Sequence, residues 1–237
     1  MRRLALIVSI LVFCSTSARS QHKSRVLFVG NSLTYFNNLP EIVRKVAASD
    51  GVKLTVESIA YPDYALLDHL AEGKVQKKLE SGKYDFLVVQ QGPSSQLDGK
   101  EWLLNAGFVL SPLCKKYGID LIFYMVWPAK SRMQDFPAVY KHYKLAADTT
   151  HSIFSPAGQA WLEAWHNAPG LALYGSDNFH PSYNGSLLAA MVIYGSIARK
   201  QQLSTITYKP FSVENIPRPT FDTMVKAAET ALANTGK

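Results

Sequence analysis

The chain has 237 residues, 47% of them hydrophobic, with 25 Lys and Arg against 18 Asp and Glu, which gives a formal net charge of +7. This length and composition suit one globular domain with a sizeable core. The positive excess is mild and the lysines are dispersed, so neither a nucleic-acid-binding function nor a nucleic-acid partner is expected.

The first 20 residues are typical of a secretory signal peptide. Arg2 and Arg3 precede an apolar stretch, ending at Phe13, that is too short to anchor stably across a bilayer. We expect cleavage before Gln21, which leaves residues 21–237 as a single domain. Loss of the signal peptide removes three arginines and no acidic residue, so the formal charge falls from +7 to +4.

The two cysteines have different predicted roles. Lipid attachment at Cys14 is disfavoured, because the bulky Phe13 stands where a small residue is expected. Only Cys114 remains after cleavage, which excludes an intramolecular disulfide, and we expect it to be a core thiol. No later segment is long and apolar enough for a membrane span, so we expect a secreted or periplasmic protein.

Short apolar runs alternate with longer amphipathic stretches, which is typical of a parallel sheet covered by helices on both faces. In chain order, strands are predicted at 26–29, 52–59, 86–89, 119–126 and 152–155. Helices are predicted at 39–49, 64–79, 100–117, 136–149 and 157–166, after His180, and at 220–233. Together they predict a three-layer α/β/α sandwich around a central, mostly parallel, five-stranded sheet of the flavodoxin-like kind.

Three polar segments, residues 30–34, 90–95 and 177–182, are expected at the carboxyl edge of this sheet, where such folds place their sites. Ser32 is the candidate nucleophile, His180 the base that takes its proton, and Asp177 the carboxylate that orients the imidazole. Each has a plainer reading, because a serine after Asn31 often caps a helix and an Asp-x-x-His turn is often structural. The occurrence of both the Ser32 segment and the Asp177–His180 segment in one chain favours the catalytic interpretation.

An acyl-transfer site also needs donors for its oxyanion. The amide of Ser32 is one, and the side chain of Gln91 is the best further candidate. Gln90 competes with it, since strand alternation points only one of the two inward, and both could simply end the strand. Trp127 is a candidate for stacking on a sugar ring because it ends the fourth strand, whereas Trp161 and Trp165 are expected in the core.

The blocks Gly30-Asn-Ser-Leu33 and Asp177-Asn-Phe-His180 resemble those of the SGNH/GDSL hydrolase family, with Asn31 in place of the aspartate of Gly-Asp-Ser-Leu. Gln91-Gly92 is similar to the Gln-Gly of a branch that acts on acetylated sugars, where the glutamine serves the oxyanion. The resemblance implies an SGNH fold and a Ser-His-Asp triad. Asn31, Gln90 and Trp127 are the candidate substrate-binding residues.

One block departs from the family's pattern. The family places a glycine after the second strand to supply another oxyanion amide, and the spacing puts Asp63 there. Its backbone N–H can still donate, but a carboxylate beside an oxyanion would repel it. Asp63 is therefore a third candidate donor, whose carboxylate either turns away from the cleft or weakens the site.

Other hydrolase chemistries fit the sequence less well. Gly30 to Thr34 lacks the second glycine of the Gly-x-Ser-x-Gly elbow, and Asp177 lies three residues before the histidine instead of far upstream. The scattered histidines show no zinc-binding spacing, so no metal is expected.

The sequence thus predicts an exported serine esterase that removes a small acyl group, most simply acetyl, from a carbohydrate or other small ester, without a cofactor. Two alternatives stay open: a lipase or thioesterase for longer acyl chains, and a glycan-binding protein with weakened turnover. Asn31 and Asp63 keep the second alternative open.

Overall fold

The computed structural model describes residues 23–236. The predicted signal peptide, its cleavage point before Gln21 and the candidate lipidation site Cys14 lie outside these residues. Within the described range, no helix combines the length and apolar character needed to cross a membrane.

The centre of the molecule is a parallel sheet of five strands in the order β2-β1-β3-β4-β5. Its strands are β1 Ser24–Gly30, β2 Leu54–Ala60, β3 Phe86–Val89, β4 Asp120–Tyr124 and β5 Ile153–Ser155. All five predicted strands are confirmed, with small shifts in their ends. Strands β1, β3 and β4 lie inside the sheet with most side chains buried, which explains why each reads as a continuous apolar run.

Two groups of helices cover the sheet, as the predicted three-layer arrangement requires. The helices are α1 Ser32–Tyr35, α2 Leu39–Ser49, α3 Leu66–Glu72, α4 Lys74–Glu80, α5 Leu97–Tyr117, α6 Phe136–Thr149, α7 Ala157–Asn167, α8 Tyr183–Ala198 and α9 Arg218–Ala233. Helices α2, α7, α8 and α9 pack among themselves, and α5 packs with α3, α4 and α6. The predicted α/β fold class is therefore confirmed.

Several helix boundaries differ from the prediction. The stretch 64–79 is not one helix but two, because Gly73 takes the left-handed conformation with φ of 71° and ends α3 before α4 begins. Helix α5 starts at Leu97 and not at residue 100. Short 3-10 helices at Phe36–Asn38, Lys130–Asp135 and Lys209–Glu214 were not anticipated, since single turns carry little periodicity.

Cys114 lies on the buried face of α5, which confirms its predicted place in the core. Burial raises the pKa of its thiol to about 12. The reactive thiolate is therefore scarce at neutral pH, and a nucleophilic role for this cysteine is not supported.

Edge strand β2 is tied to its neighbours by a charged cluster around Glu57. The Glu57 carboxylate accepts from the Lys78 ammonium and the Tyr84 hydroxyl, each at 2.7 Å, and from the Arg25 guanidinium at 3.2 Å. These bonds, that of Lys78 first, lower the pKa of Glu57 to about 2. Charges on an edge strand also hinder pairing with other chains.

We expect Glu57→Gln to lower the free energy of unfolding by about 1 kcal/mol at neutral pH, a small effect because the ion-paired side chains are a third or more exposed. The folded-state pKa lies below that of a free carboxyl, so the charge stabilises fully above about pH 5 and progressively less toward pH 2. Urea unfolding of both proteins across this range measures the effect. If the difference in the free energy of unfolding between the two proteins stays constant with pH, the ionised carboxylate is ruled out as its source.

Candidate active site

The candidate nucleophile follows directly from the end of β1. Gly30 closes the strand, Asn31 caps α1 by accepting the Leu33 N–H at 3.1 Å, and Ser32 is the first residue of that helix. Because Ser32 opens the helix, no preceding turn supplies an acceptor for its N–H. Its side chain is partly exposed. Helix capping and the presentation of Ser32 are thus both features of this turn.

The side chain of Gln90 holds this turn from behind. Its Oε1 accepts the Asn31 N–H at 3.2 Å and the Thr34 hydroxyl at 2.7 Å, while its Nε2 donates to Asn31 Oδ1 at 2.9 Å. Gln90 is 0% exposed. Gln90, a predicted substrate-binding residue, is thus buried in the structure and holds the turn that carries Ser32.

Asn31, also a predicted substrate-binding residue, makes its hydrogen bonds within the protein. Its Oδ1 accepts from Leu33 and Gln90, and its Nδ2 donates to the Tyr64 carbonyl at 3.2 Å. The side chain is 8% exposed, and its polar atoms are hydrogen-bonded to the segments that follow β1, β2 and β3. An asparagine suits this position because the Gln90 amide donates to it, which a neutral acceptor satisfies without a buried charge.

The Gln91 carboxamide is engaged in the loop after β3. Its Nε2 donates to Ser94 Oγ at 2.9 Å and to the Gly99 carbonyl at 2.8 Å, and its Oε1 accepts from the Leu66 N–H at 3.4 Å. Both amide hydrogens are therefore used, and the side chain is almost wholly buried. The structure does not place a free Gln91 donor in the cleft, contrary to the predicted oxyanion role.

Asp177 and His180 form a closely bonded pair. Asp177 Oδ2 lies 2.5 Å from His180 Nδ1, and its Oδ1 accepts the N–H groups of Phe179 at 3.0 Å and His180 at 2.9 Å. One carboxylate thus shapes the turn and orients the ring, which explains the three-residue spacing. The bond to His180 is the main cause of a lowered Asp177 pKa, so the carboxylate stays ionised below the usual carboxyl range.

The proton arrangement leaves His180 ready to act as a base. Because a carboxylate only accepts, Nδ1 of the neutral ring carries the hydrogen and Nε2 keeps its lone pair. The Nε2 atom is shielded from solvent, and no residue between 23 and 236 is hydrogen-bonded to it. A lone pair in this state can accept a hydroxyl proton.

The segment carrying Ser32 packs against the His180 loop. The ring of Phe36, one turn beyond Ser32, stacks on the His180 ring with centroids 4.4 Å apart and planes 15° from parallel. The Asn37 amide donates to the Pro181 carbonyl at 3.0 Å and to Ser186 Oγ at 2.9 Å. The two sequence-distant segments are therefore neighbours at the carboxyl edge of the sheet.

Asp63 occupies the turn after β2 in a conformation that favours glycine. Its φ is 61°, in the left-handed region, and the Tyr64 N–H approaches the Tyr61 carbonyl at 3.5 Å across the turn. The side chain is exposed. The backbone at Asp63 thus has a conformation that glycine adopts most readily, while its carboxylate lies at the surface.

His69 was not selected by sequence reasoning, yet it contacts the nucleophile turn. Its Nε2 donates to the Gly30 carbonyl at 2.7 Å, and its buried ring packs between Tyr61 and Tyr64. Burial is the main cause of its lowered pKa, so the ring stays neutral. Its place three residues after the buried Leu66, on the inner face of α3, was the available signal.

Trp127 lies in the core and not on the surface of the cleft. It is 0% exposed, stacks on Trp161 at 3.6 Å and donates through Nε1 to the Phe179 carbonyl at 3.0 Å. Trp127, predicted to stack on a sugar ring, is thus buried in the structure and supports the His180 loop through this hydrogen bond. Trp161 is also fully buried, which confirms its predicted packing in the core.

No protein-family profile and no curated protein matches this chain. Several solved structures resemble it. A DUF4886 family protein from Bacteroides uniformis superposes with a TM-score of 0.77 at 17% identity, over 91% of this chain and 97% of that one. A candidate SGNH hydrolase from Slackia heliotrinireducens gives 0.63 at 23% identity, over 74% and 100%.

An acetyl xylan esterase from Geobacillus stearothermophilus, in a variant form, gives a TM-score of 0.54 at 16% identity, over 76% of this chain and 95% of that one. At these identities the likeness concerns the fold, and the chemistry must be argued from the site. The resemblance read from the sequence is confirmed at that level: this chain has the fold of the SGNH/GDSL hydrolases.

Proposed function

We propose that this protein is an exported serine esterase that removes a short acyl group, most simply acetyl, from a carbohydrate. The observation that supports it best is the bonded Asp177–His180 pair, whose unpartnered Nε2 lies in a ring stacked on Phe36, one turn from Ser32. Export rests on the basic and apolar residues 1–20.

In the first half-reaction, Ser32 Oγ attacks the ester carbonyl carbon while its proton passes to His180 Nε2. Asp177 stabilises the imidazolium through Nδ1. The oxyanion receives the N–H of Ser32, with the N–H of Asp63 as a second donor. When the intermediate collapses, the bond to the alcohol oxygen breaks, and the leaving alkoxide takes the proton from Nε2.

The second half-reaction reverses these roles with water. A water molecule gives a proton to His180 and attacks the acyl-Ser32 carbonyl, and the collapse of the second intermediate returns that proton to Ser32 Oγ. Acetate and the free alcohol are the products. His180 accepts and returns the proton in both half-reactions.

The test is release of p-nitrophenol from p-nitrophenyl acetate and from the octanoate. We expect hydrolysis of the acetate, and a fall of about 10⁴-fold or more in kcat for Ser32→Ala, as for nucleophile loss in serine hydrolases. Equal rates for the two proteins would overturn the proposal. Faster hydrolysis of octanoate would favour a lipase or thioesterase, and sugar binding without turnover a glycan-binding protein.

A further inference from the structure

A cavity adjoins the His180 loop on the side of β3 and β4. It has a volume of about 320 Å³ and is walled by the loops after those strands and by Phe179. The Phe179 ring lies 5.1 Å from the His180 ring, centroid to centroid. The Lys130 N–H donates to the Asn178 carbonyl at 2.9 Å, which links the segment after β4 to the His180 loop.

The lining of this cavity combines polar and apolar residues. Asp135 pairs with Arg132 at 2.5 Å and accepts the Ser95 hydroxyl at 3.0 Å. The Phe179 ring and the Pro93 side chain supply carbon surface. Donors and acceptors beside an apolar wall suit a ring that carries hydroxyls on its edge and C–H groups on its face.

This lining disfavours an alkyl chain. An acyl tail placed here would remove water from Arg132 and Asp135 without offering hydrogen bonds in return, which is costly for charged groups. Sugar hydroxyls, in contrast, can both donate to the carboxylate and accept from the guanidinium. Because the two charges already neutralise each other, the cavity carries no local excess charge to attract an anionic ligand.

We propose that this cavity binds the leaving group of the ester, a neutral hydroxylated ring, and that Asp135 and Arg132 determine its specificity. The inference rests on the proposed esterase function, since it places the alcohol half of the substrate beside the imidazole that protonates it. Its size, at the lower end for ligand pockets of about 300–1,000 Å³, fits one sugar ring.

The experiment compares an acetylated xylo-oligosaccharide with p-nitrophenyl acetate, which lacks sugar hydroxyls. We expect Asp135→Asn to reduce kcat/KM for the sugar ester about tenfold more than for the aryl ester, as loss of a charged hydrogen bond implies. Arg132→Gln acts in the same direction. Asp148→Asn, which removes an exposed pair with Lys144 on α6, is the matched control and leaves both rates unchanged.

Equal losses on both esters in Asp135→Asn, or a faster reaction with an acetylated sialic acid than with the neutral sugar ester, would overturn the subsite. Hydrolysis of neither ester by the wild type would instead overturn the proposed function. Binding measurements distinguish the failure of the subsite from the failure of the esterase function, because they do not require turnover. We expect calorimetry to detect binding of an unacetylated xylo-oligosaccharide to Ser32→Ala. Adding Asp135→Asn to this variant is expected to weaken the affinity about tenfold. An unchanged affinity would contradict the assignment of the subsite.

Discussion

Replacing Asp177 by asparagine is expected to lower kcat for ester hydrolysis by about 10⁴-fold, the size of effect known when the acid of such a triad becomes an amide. The turn itself can persist, because Oδ1 of an asparagine still accepts the N–H groups of Phe179 and His180. The amide nitrogen, however, would face His180 Nδ1 where Oδ2 now lies.

That exchange reverses the proton arrangement on the ring. An amide N–H donates to Nδ1, so the hydrogen of the neutral imidazole moves to Nε2, and no lone pair remains to accept the Ser32 proton. The predicted loss therefore falls on kcat, with little change in the free energy of unfolding, because the Asp177 side chain is about half exposed to solvent.

Steady-state kinetics and urea unfolding of Asp177→Asn check the prediction together. Asp222→Asn is a matched control, since it removes an exposed i,i+4 ion pair with Arg218 on α9 and is expected to keep wild-type kcat. A kcat for Asp177→Asn within tenfold of the wild type would show that the pair is merely a structural turn.

Gly30→Ala is expected to be the most damaging small substitution at the site. A Cβ on Gly30 would meet Gln90 Oε1, Thr34 Oγ1 and, at 2.9 Å, the backbone oxygen of Gln90. The backbone oxygen cannot rotate away, so β1 and the loop after β3 must separate. Overpacking of this kind costs about 3 kcal/mol in the free energy of unfolding.

The same displacement would move Ser32, two residues on, relative to His180. A misplacement of about 1 Å is enough to reduce turnover by about 10²-fold. Gly92→Ala is the control for stability, because nothing lies within 4 Å of a Cβ at Gly92. The comparison is made by thermal unfolding and by kcat/KM on p-nitrophenyl acetate. Similar stabilities for the two variants would refute the close packing at Gly30.

The sheet could be read from the sequence because its inner strands are buried on both faces. Val26 to Val29 and Phe86 to Val89 are continuous apolar runs, which only a covered parallel strand readily accommodates. The Asp177–His180 spacing was equally informative, since a carboxylate three residues before a histidine can reach both its ring and its backbone N–H.

The roles of Gln90 and Gln91 could not be read in the same way. Alternation along a strand predicts that one of the two faces the cleft, but the strand ends at Val89 and both side chains are buried. Gln90 bonds to Asn31, 59 residues earlier in the chain, and Gln91 bonds to the carbonyl of Gly99 in the first turn of α5. Periodicity contains no information about such contacts.

The sequence pattern also does not determine where the side chains of Trp127 and His69 lie. A tryptophan at the end of a strand can face the cleft or pack beneath it, and the neighbouring Trp161 from α7 decides the matter. His69 looked like one scattered histidine among several, because its partner, the Gly30 carbonyl, lies 39 residues earlier in the chain. Both side chains are placed by tertiary contacts.

The most direct test of the account is covalent labelling of the purified protein with a fluorophosphonate, followed by peptide mass spectrometry. We predict a single adduct on Ser32, formed rapidly in the wild type and about 10³-fold more slowly or not at all in His180→Ala, because the hydroxyl needs the imidazole to take its proton. An adduct on another residue, or equal labelling of Ser32 in the two proteins, would contradict the assignment of Ser32 and His180 to one active site.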